Sequence, residues 1–293
     1  MKPAPFEYVR PASLDEACAL LAADESARLI AGGQTLAPLM AMRLARPTRL
    51  IDIARIPELA FVRDDGETVT IGAATRQCVV ENDPLVRAKL PLLATVMPFI
   101  GHAATRARGT IGGSLANADS AAEIVLVAVT LGATLICREG PATRDISASE
   151  FFIGPMATAL SPAGCLIAAR FPVWRATRIG VGFHEVNARK SDFAFVSAAA
   201  QIVLADDGTC RRLAVGIGAV TAFPLRLDAV ARALEGARIE ETAVRAAVEA
   251  ALAGIEPMSD LHASTDYRRR VALTLAVRAI MDADTFARGA HAR

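Results

Sequence analysis

The chain has 293 residues, 53% of them hydrophobic, with a formal net charge of +1, which is enough apolar material for one large or two modest domains. Lys and Arg are spread along the chain and aromatics make up only 5%, which argues against a polyanion surface or a base-stacking platform for nucleic acid. Five scattered cysteines with no Cys-x-x-Cys and four histidines without zinc-like spacing argue against an iron–sulfur cluster or zinc site in this chain, and the cysteines read as reduced, mostly buried apolar residues.

In chain order, Ser13-Leu14-Asp15-Glu16 has capping-box spacing and opens a helix to about Ala23. Arg28–Ala31 reads as a short strand running into Gly32-Gly33, Leu36–Leu44 as a helix punctuated by Pro47, and Leu50–Ile53 as a strand. Asp64-Asp65-Gly66 is a turn before a strand at Thr68–Gly72. Helical segments follow at Arg76–Glu81 and Leu85–Met97, then an irregular basic stretch from Ile100 to Gly109, a second Gly-Gly at 112–113, a helix at Ala121–Leu131 and strands at Ala133–Cys137 and Gly164–Phe171. Composition then shifts to three β segments, Gly180–Val186, Phe193–Leu204 and Arg212–Val220, with Asp206-Asp207-Gly208 as the hairpin turn between the last two. Three Ala-rich amphipathic helices close the chain, at Leu227–Leu234, Glu240–Ala253 and Tyr267–Arg288. The longest uncharged apolar stretch, Ile124–Cys137, is interrupted by Thr130, Gly132 and Thr134 and falls short of the ~20 residues of a membrane span. With no hydrophobic signal core at the N-terminus, a cytoplasmic location is expected.

The chemistry concentrates in two loops. Ala31-Gly32-Gly33-Gln34-Thr35 has little side chain to screen its backbone, so consecutive N–H groups can converge on an anion at the start of the helix from Leu36, with Thr35 at the cap position. Thr110-Ile111-Gly112-Gly113-Ser114 repeats the device, with Arg106 and Arg108 just upstream. Neither fits a Rossmann or Walker A pattern, and a Gly-Gly after a strand also serves as a plain tight turn. The residues alone leave both readings open.

The ordered set of motifs resembles one family. Residues 29–38, LIAGGQTLAP, and 108–119, RGTIGGSLANAD, are similar to the two FAD loops of the medium subunit of molybdenum hydroxylases, the carbon monoxide dehydrogenase and xanthine dehydrogenase group. So are Phe6–Pro11, Leu50–Ile53 with Ile56–Leu59, Arg189–Ala194 and Gly216–Val220, so the resemblance spans nearly the whole chain in order. It implies an α+β fold: a two-part FAD-binding domain of the vanillyl-alcohol-oxidase/PCMH type over 1–175, subdivided near 55–60, and over 176–293 a C-terminal domain of the carbon monoxide dehydrogenase flavoprotein type, with a three-stranded antiparallel sheet and a helical bundle.

The resemblance also implies a non-covalent FAD site. Ala31, Gly32, Gly33, Gln34, Thr35 and Leu36 match its first pyrophosphate loop, and Thr110, Gly113 and Ser114 its second. Ile100 and Gly101 match a flavin-proximal segment, Asn117 a polar position near the cofactor, and Glu123 an acidic position that hydrogen-bonds FAD. Leu166 and Phe193 match contacts at the isoalloxazine. From the residues alone Glu123 is equally a helix-start carboxylate, Phe193 a core strand residue, His102 a loop residue, and Asp119 a cap. Some relatives carry His, Ser and Asn where Gln34, Thr35 and Ser114 stand, which keeps hydrogen-bonding capacity. Some carry lysine at Glu185, a charge reversal that bears on flavin potential or acceptor choice.

The function so implied is electron transfer. Molybdopterin sits in a large partner subunit and 2Fe-2S clusters in a small one, in a dimer of heterotrimers, with FAD here passing electrons to a terminal acceptor. No acid–base dyad or nucleophile triad is evident. A self-contained FAD-dependent reductase and a non-catalytic assembly protein of the same fold are the rival readings. The substrate and the acceptor are not legible.

Overall fold

A computed structural model describes residues 2–289. The chain opens with a small parallel layer: β1 (Glu7–Val9), α1 (Leu14–Ala22), β2 (Arg28–Ile30), α2 (Leu36–Ala41) and β3 (Arg49–Asp52), with β3 central in the order β1-β3-β2. Ser13 Oγ caps α1 by accepting from Glu16 N at 3.2 Å, and the Glu16 carboxylate answers at Ala12 N, 2.7 Å away, one residue earlier than an ideal capping box. Leu14, Ala17, Cys18 and Leu21 on α1 are buried in a core shared with Ile51 and Cys165.

A five-stranded antiparallel sheet follows, in the order β4-β5-β10-β6-β7. Its strands are β4 (Val62–Asp64), β5 (Thr68–Gly72), β6 (Thr134–Glu139), β7 (Ala142–Ser147) and β10 (Gly164–Pro172). Between β5 and β6 lie α3 (Gln77–Asn82), α4 (Pro84–Lys89), α5 (Pro91–Val96), α6 (Ala103–Arg106), α7 (Ile111–Asn117) and α8 (Glu123–Leu131). The single helix expected over Leu85–Met97 is two. Pro91 lacks an N–H and forces Leu90 to φ −124, ψ 62, outside the helical region. Between β7 and β10 stand α9 (Ala148–Phe151), β8 (Phe152–Gly154) and β9 (Ala157–Thr158). β7 through β9 went unrecognised in the sequence because the exposed β7 and the two short strands carry no run of buried residues.

The C-terminal sheet has four strands rather than the three expected: β11 (Ile179–Val186), β12 (Val196–Leu204), β13 (Cys210–Gly218) and β14 (Leu225–Arg226). The extra strand is two residues long, too short to show a period. All nine residues of β12 are buried, because the sheet is covered on both faces. One face carries α10 (Asp228–Leu234), α11 (Glu241–Ala253) and α12 (Thr265–Ala287), with Val196, Ala198, Ala200 and Ile202 pointing into their core. α12 approaches so closely that Gly180 and Gly182 of β11 lie against the Ala283 and Ala279 carbonyls.

The other face meets α8. Ile124 through Leu131 are all buried, as expected of a helix apolar all round. Phe183, Ala199 and Ala214 join the same core as α8 and β5, so the two halves of the chain share one hydrophobic interior. Phe99 meets Phe183 edge-on at 4.8 Å across this seam. Leu126 is fully buried there, beside Gly216 and Gly218 of β13. Leu126→Ala is expected to cost roughly 3 kcal/mol in urea unfolding, moving a single transition rather than splitting it.

Candidate functional site

A cleft of about 930 Å³ opens between the parallel layer, the α6–α8 segment and the loop before β12, at the upper end of the ~300–1,000 Å³ usual for small-molecule sites. Its wall includes every site residue expected from the sequence: Ala31 through Leu36, Ile100, Gly101, Thr110, Gly113, Ser114, Asn117, Glu123, Leu166 and Phe193. Residues some 160 positions apart in the chain are thus brought to one concavity.

The two glycine loops touch. A Cβ at Gly32 would lie 2.5 Å from Arg108 O and 2.8 Å from Gly109 Cα, so only a residue without a side chain lets the first loop rest on the second. Gly33 follows at φ +67, in the left-handed region glycine tolerates. Among the described residues, the N–H groups of Gly32, Gly33, Gln34 and Thr35 find no protein acceptor. They form a run of free donors suited to an anion. Thr35 stands at the cap of α2 but makes no capping hydrogen bond, which leaves its hydroxyl to the cleft.

The second loop does not repeat the device. Ile111 N donates to Thr75 O at 3.1 Å and Gly112 N to Ala73 O at 2.9 Å. Gly113 N and Ser114 N are spent within the cap, on Thr110 Oγ1 at 3.0 Å and Thr110 O at 3.2 Å. Its amides are consumed in fixing its own position, and it offers the cleft side chains instead: Ser114 and Asn117 line the wall without a protein hydrogen-bond partner among the described residues. Gln77, absent from the sequence expectation, also lines the cleft. It is 5% exposed with Oε1 unpartnered and packs under Gly109. No motif marked it, because its position depends on the strap from Ala73 to Gln77 that holds the second loop.

Neither Arg106 nor Arg108 lines the cleft. Arg108 is exposed. Arg106 is ion-paired to Glu81 at 2.8 Å and donates to the Ile100 and Gly101 carbonyls at 3.0 Å each. It therefore shapes the Ile100-Gly101 segment from behind. Arg28 is the one cationic side chain among the described lining residues, and its guanidinium is turned onto its own backbone, at Glu25 O and Ala27 O.

At the other end, Leu166 is buried at a bulge in β10. Phe193 is 68% exposed, ahead of β12 rather than in it, which removes the core-strand alternative. Glu123 is the first residue of α8, and burial pushes its carboxyl up to about 7, with Asp119 adding to the rise. Asp119 itself accepts from Ala121 N at 2.9 Å in the turn before α8. The 156–162 turn, also unforeseen, supplies Met156, Thr158 and Ser161 to the rim. Among the described residues no group of three or more His, Cys, Asp or Glu gathers to hold a metal, and no helix is long and apolar enough to cross a membrane. His102 is exposed in the loop before α6, and His291 lies outside the described residues.

The chain matches two family models: the FAD binding domain in molybdopterin dehydrogenase over residues 4–174, and the CO dehydrogenase flavoprotein C-terminal domain over residues 182–283. It is 35% identical to the nicotine 6-hydroxylase medium subunit of Paenarthrobacter nicotinovorans, over 97% of this chain and 99% of that one. It is 35% identical to the carbon monoxide dehydrogenase medium chain of Hydrogenophaga pseudoflava, over 96% and 97%. Among solved structures, quinoline 2-oxidoreductase from Pseudomonas putida 86 superposes with a TM-score of 0.92 at 36% identity, covering 98% of this chain and 99% of that chain. The chain belongs to the FAD-binding medium-subunit family of the molybdenum hydroxylases.

The Arg106–Glu81 pair is mostly buried, with side chains 13% and 20% exposed. Arg106→Met strands Glu81 and two carbonyls, a loss on the order of 2–4 kcal/mol. Limited proteolysis is expected to cut faster within residues 99–109 of the variant than of the wild type.

Proposed function

We propose that this chain is the electron-transfer subunit of a heteromeric molybdenum hydroxylase, holding FAD non-covalently in the cleft. The observation that carries the reading is the convergence of both glycine loops, the Ile100-Gly101 segment, Glu123, Leu166 and Phe193 on one concavity of cofactor size. The residues fit the group. The free N–H run at Gly32–Thr35 suits a pyrophosphate, and a Cβ at Gly32 would close the cradle. The uncommitted Thr35, Ser114 and Asn117 side chains suit ribityl and phosphate oxygens. Glu123 would offer an acidic hydrogen-bonding contact, and Leu166 and Phe193 would offer apolar surface to the ring system.

When bound, FAD supplies two-electron and one-electron redox chemistry, and the protein binds it, orients it and tunes it. In this reading the chain accepts electrons from 2Fe-2S clusters of a small subunit after hydroxylation at molybdopterin in a large subunit, and hands them to a terminal acceptor. The assembly is a cytoplasmic dimer of heterotrimers. We place the domain boundary at 175/176, with the first domain subdivided near 55–60.

Purified wild-type protein should be yellow or take up FAD with the two visible bands of oxidised flavin. Gly33→Asp puts a carboxylate beside the free N–H run and is expected to weaken FAD at least about a hundredfold, about 3 kcal/mol. Gly33→Ala isolates the backbone strain at φ +67. Unchanged affinity in the Asp variant, with folding verified by circular dichroism, contradicts the assignment. Affinity purification from the native host should recover a molybdopterin chain and an iron–sulfur chain, and full turnover by this chain alone would overturn the partner assignment.

A further inference from the structure

Among the described residues lining the cleft, Gln77 alone carries a buried side-chain oxygen without a hydrogen-bond partner. The side chain is 5% exposed, and its Nε2 makes no protein hydrogen bond among the described residues either. Interior carboxamides are normally bonded, because burial takes away the water that would otherwise serve them. The backbone beneath this one is fixed. Gln77 N donates to Gly109 O at 2.9 Å, and the strap before it accepts from the second loop, Thr75 O from Ile111 N and Ala73 O from Gly112 N. The side chain therefore starts from a set position on the cleft wall.

Gly109 relates this carboxamide to the free amides. A Cβ on Gly109 would lie 2.5 Å from Gln77 Oε1, and a Cβ on Gly32 would lie 2.8 Å from Gly109 Cα. The carboxamide and the first member of the free N–H run thus bear on the same glycine. Thr105 O would also meet the Gly109 Cβ, at 3.1 Å, and Thr105 lines the cleft with its hydroxyl unbonded to protein among the described residues. The neighbouring cations in the chain are committed elsewhere: Arg76 to the Arg108 carbonyl, and Arg106 to Glu81 and the Ile100 and Gly101 carbonyls.

The chemistry of the group says what would satisfy it. A carboxamide offers two donors and an acceptor, and half a turn exchanges its ends without changing its shape. An ionised phosphate only accepts, and would leave Oε1 unmet. A hydroxyl both donates and accepts, so it pairs with whichever end faces it. In FAD a polyol stands on each side of the pyrophosphate, the ribityl chain toward the ring and the ribose toward adenine. A ligand held by its phosphates on Gly32–Thr35 brings sugar hydroxyls next to that run.

We propose that Gln77 is a specificity residue of the cleft, hydrogen-bonding a sugar hydroxyl beside the pyrophosphate. The contact rests on the FAD reading above. The backbone amides recognise the charge of the ligand, and Gln77 recognises its polyol.

The test is a titration of the apoprotein with FAD and with analogues that each lack one hydroxyl, on the ribityl chain or on the ribose. Wild type should bind one analogue roughly three- to tenfold more weakly than FAD, the effect of one hydrogen bond between neutral groups. Gln77→Met, of similar length and without a carboxamide, should weaken FAD by a like factor and bind that analogue as well as it binds FAD. The sensitive position tells ribityl from ribose. If Gln77→Met shifts FAD and every analogue by one common factor, so that the wild-type preference survives, Gln77 is a strut under Gly109 and the contact is overturned. Circular dichroism checks the fold of the variant, and Gln77→Leu takes its place if the first folds poorly. Protein that takes up neither FAD nor any analogue overturns the function proposed above and this contact with it. Wild type that binds FAD and all the analogues equally leaves that function standing and overturns the contact alone.

Discussion

The site depends on one backbone contact, the seating of Gly32 on Arg108 and Gly109. It joins the first parallel layer to the segment before α7, and it tolerates no side chain on the Gly32 position. Much of the surrounding structure serves to hold the two surfaces at that distance. The strap from Ala73 to Gln77 hydrogen-bonds the second loop in place, with Gln77 N donating to Gly109 O at 2.9 Å and Arg76 bridging to Arg108 O. Thr110, 2% exposed, locks the start of α7. The price of this rigidity is that the second loop has no amides left over. The free N–H groups sit on the first loop, and the second provides support and side chains.

α8 has a comparable role at the other end of the cleft. Its apolar surface is divided between β12–β14 of the C-terminal sheet and α5 and α7 of the first half. One helix therefore fixes Glu123, the turn at Asp119–Ser120 and the seating of β12–β14 on the first half. The buried Arg268 of α12 continues the same framework. It donates to the carbonyls of Phe195 and Ala219 and pairs with Asp260 at 2.6 Å, so the loop carrying Phe193 and the seam at Ser120 share an anchor. A desolvated guanidinium is tolerable there because several acceptors surround it.

What could be read from the sequence was whatever local chemistry encodes. The capped start of α1, the apolar run of α8 and the Asp206–Gly208 hairpin follow from caps, periodicity and turn residues, and the structure places them within a few residues of expectation. The two Gly-Gly loops were conspicuous as sequence, but their unequal roles were not. Whether an amide at Gly112 is free depends on Ala73, which reaches it only through the tertiary fold. Gln77 and the 156–162 turn were silent for the same reason. Arg106 stands just upstream of the second loop in sequence, yet its role too is set by the tertiary fold, which commits it to Glu81 and two carbonyls.

The lining of the cleft has a further consequence. Arg28, its one cationic side chain among the described residues, is folded back on its own backbone, while Glu25, Asp119 and Asp192 contribute carboxylates. An anion held here is gripped by fixed peptide dipoles at contact range, inside a wall of like sign. Mobile ions weaken attraction that acts over a Debye length, ~10 Å at 0.1 M, and do little to a hydrogen bond already sheltered from solvent. Retention of such a ligand should be governed by the integrity of the backbone and hardly at all by ionic strength, whereas its arrival from solution faces a repulsion that salt relieves.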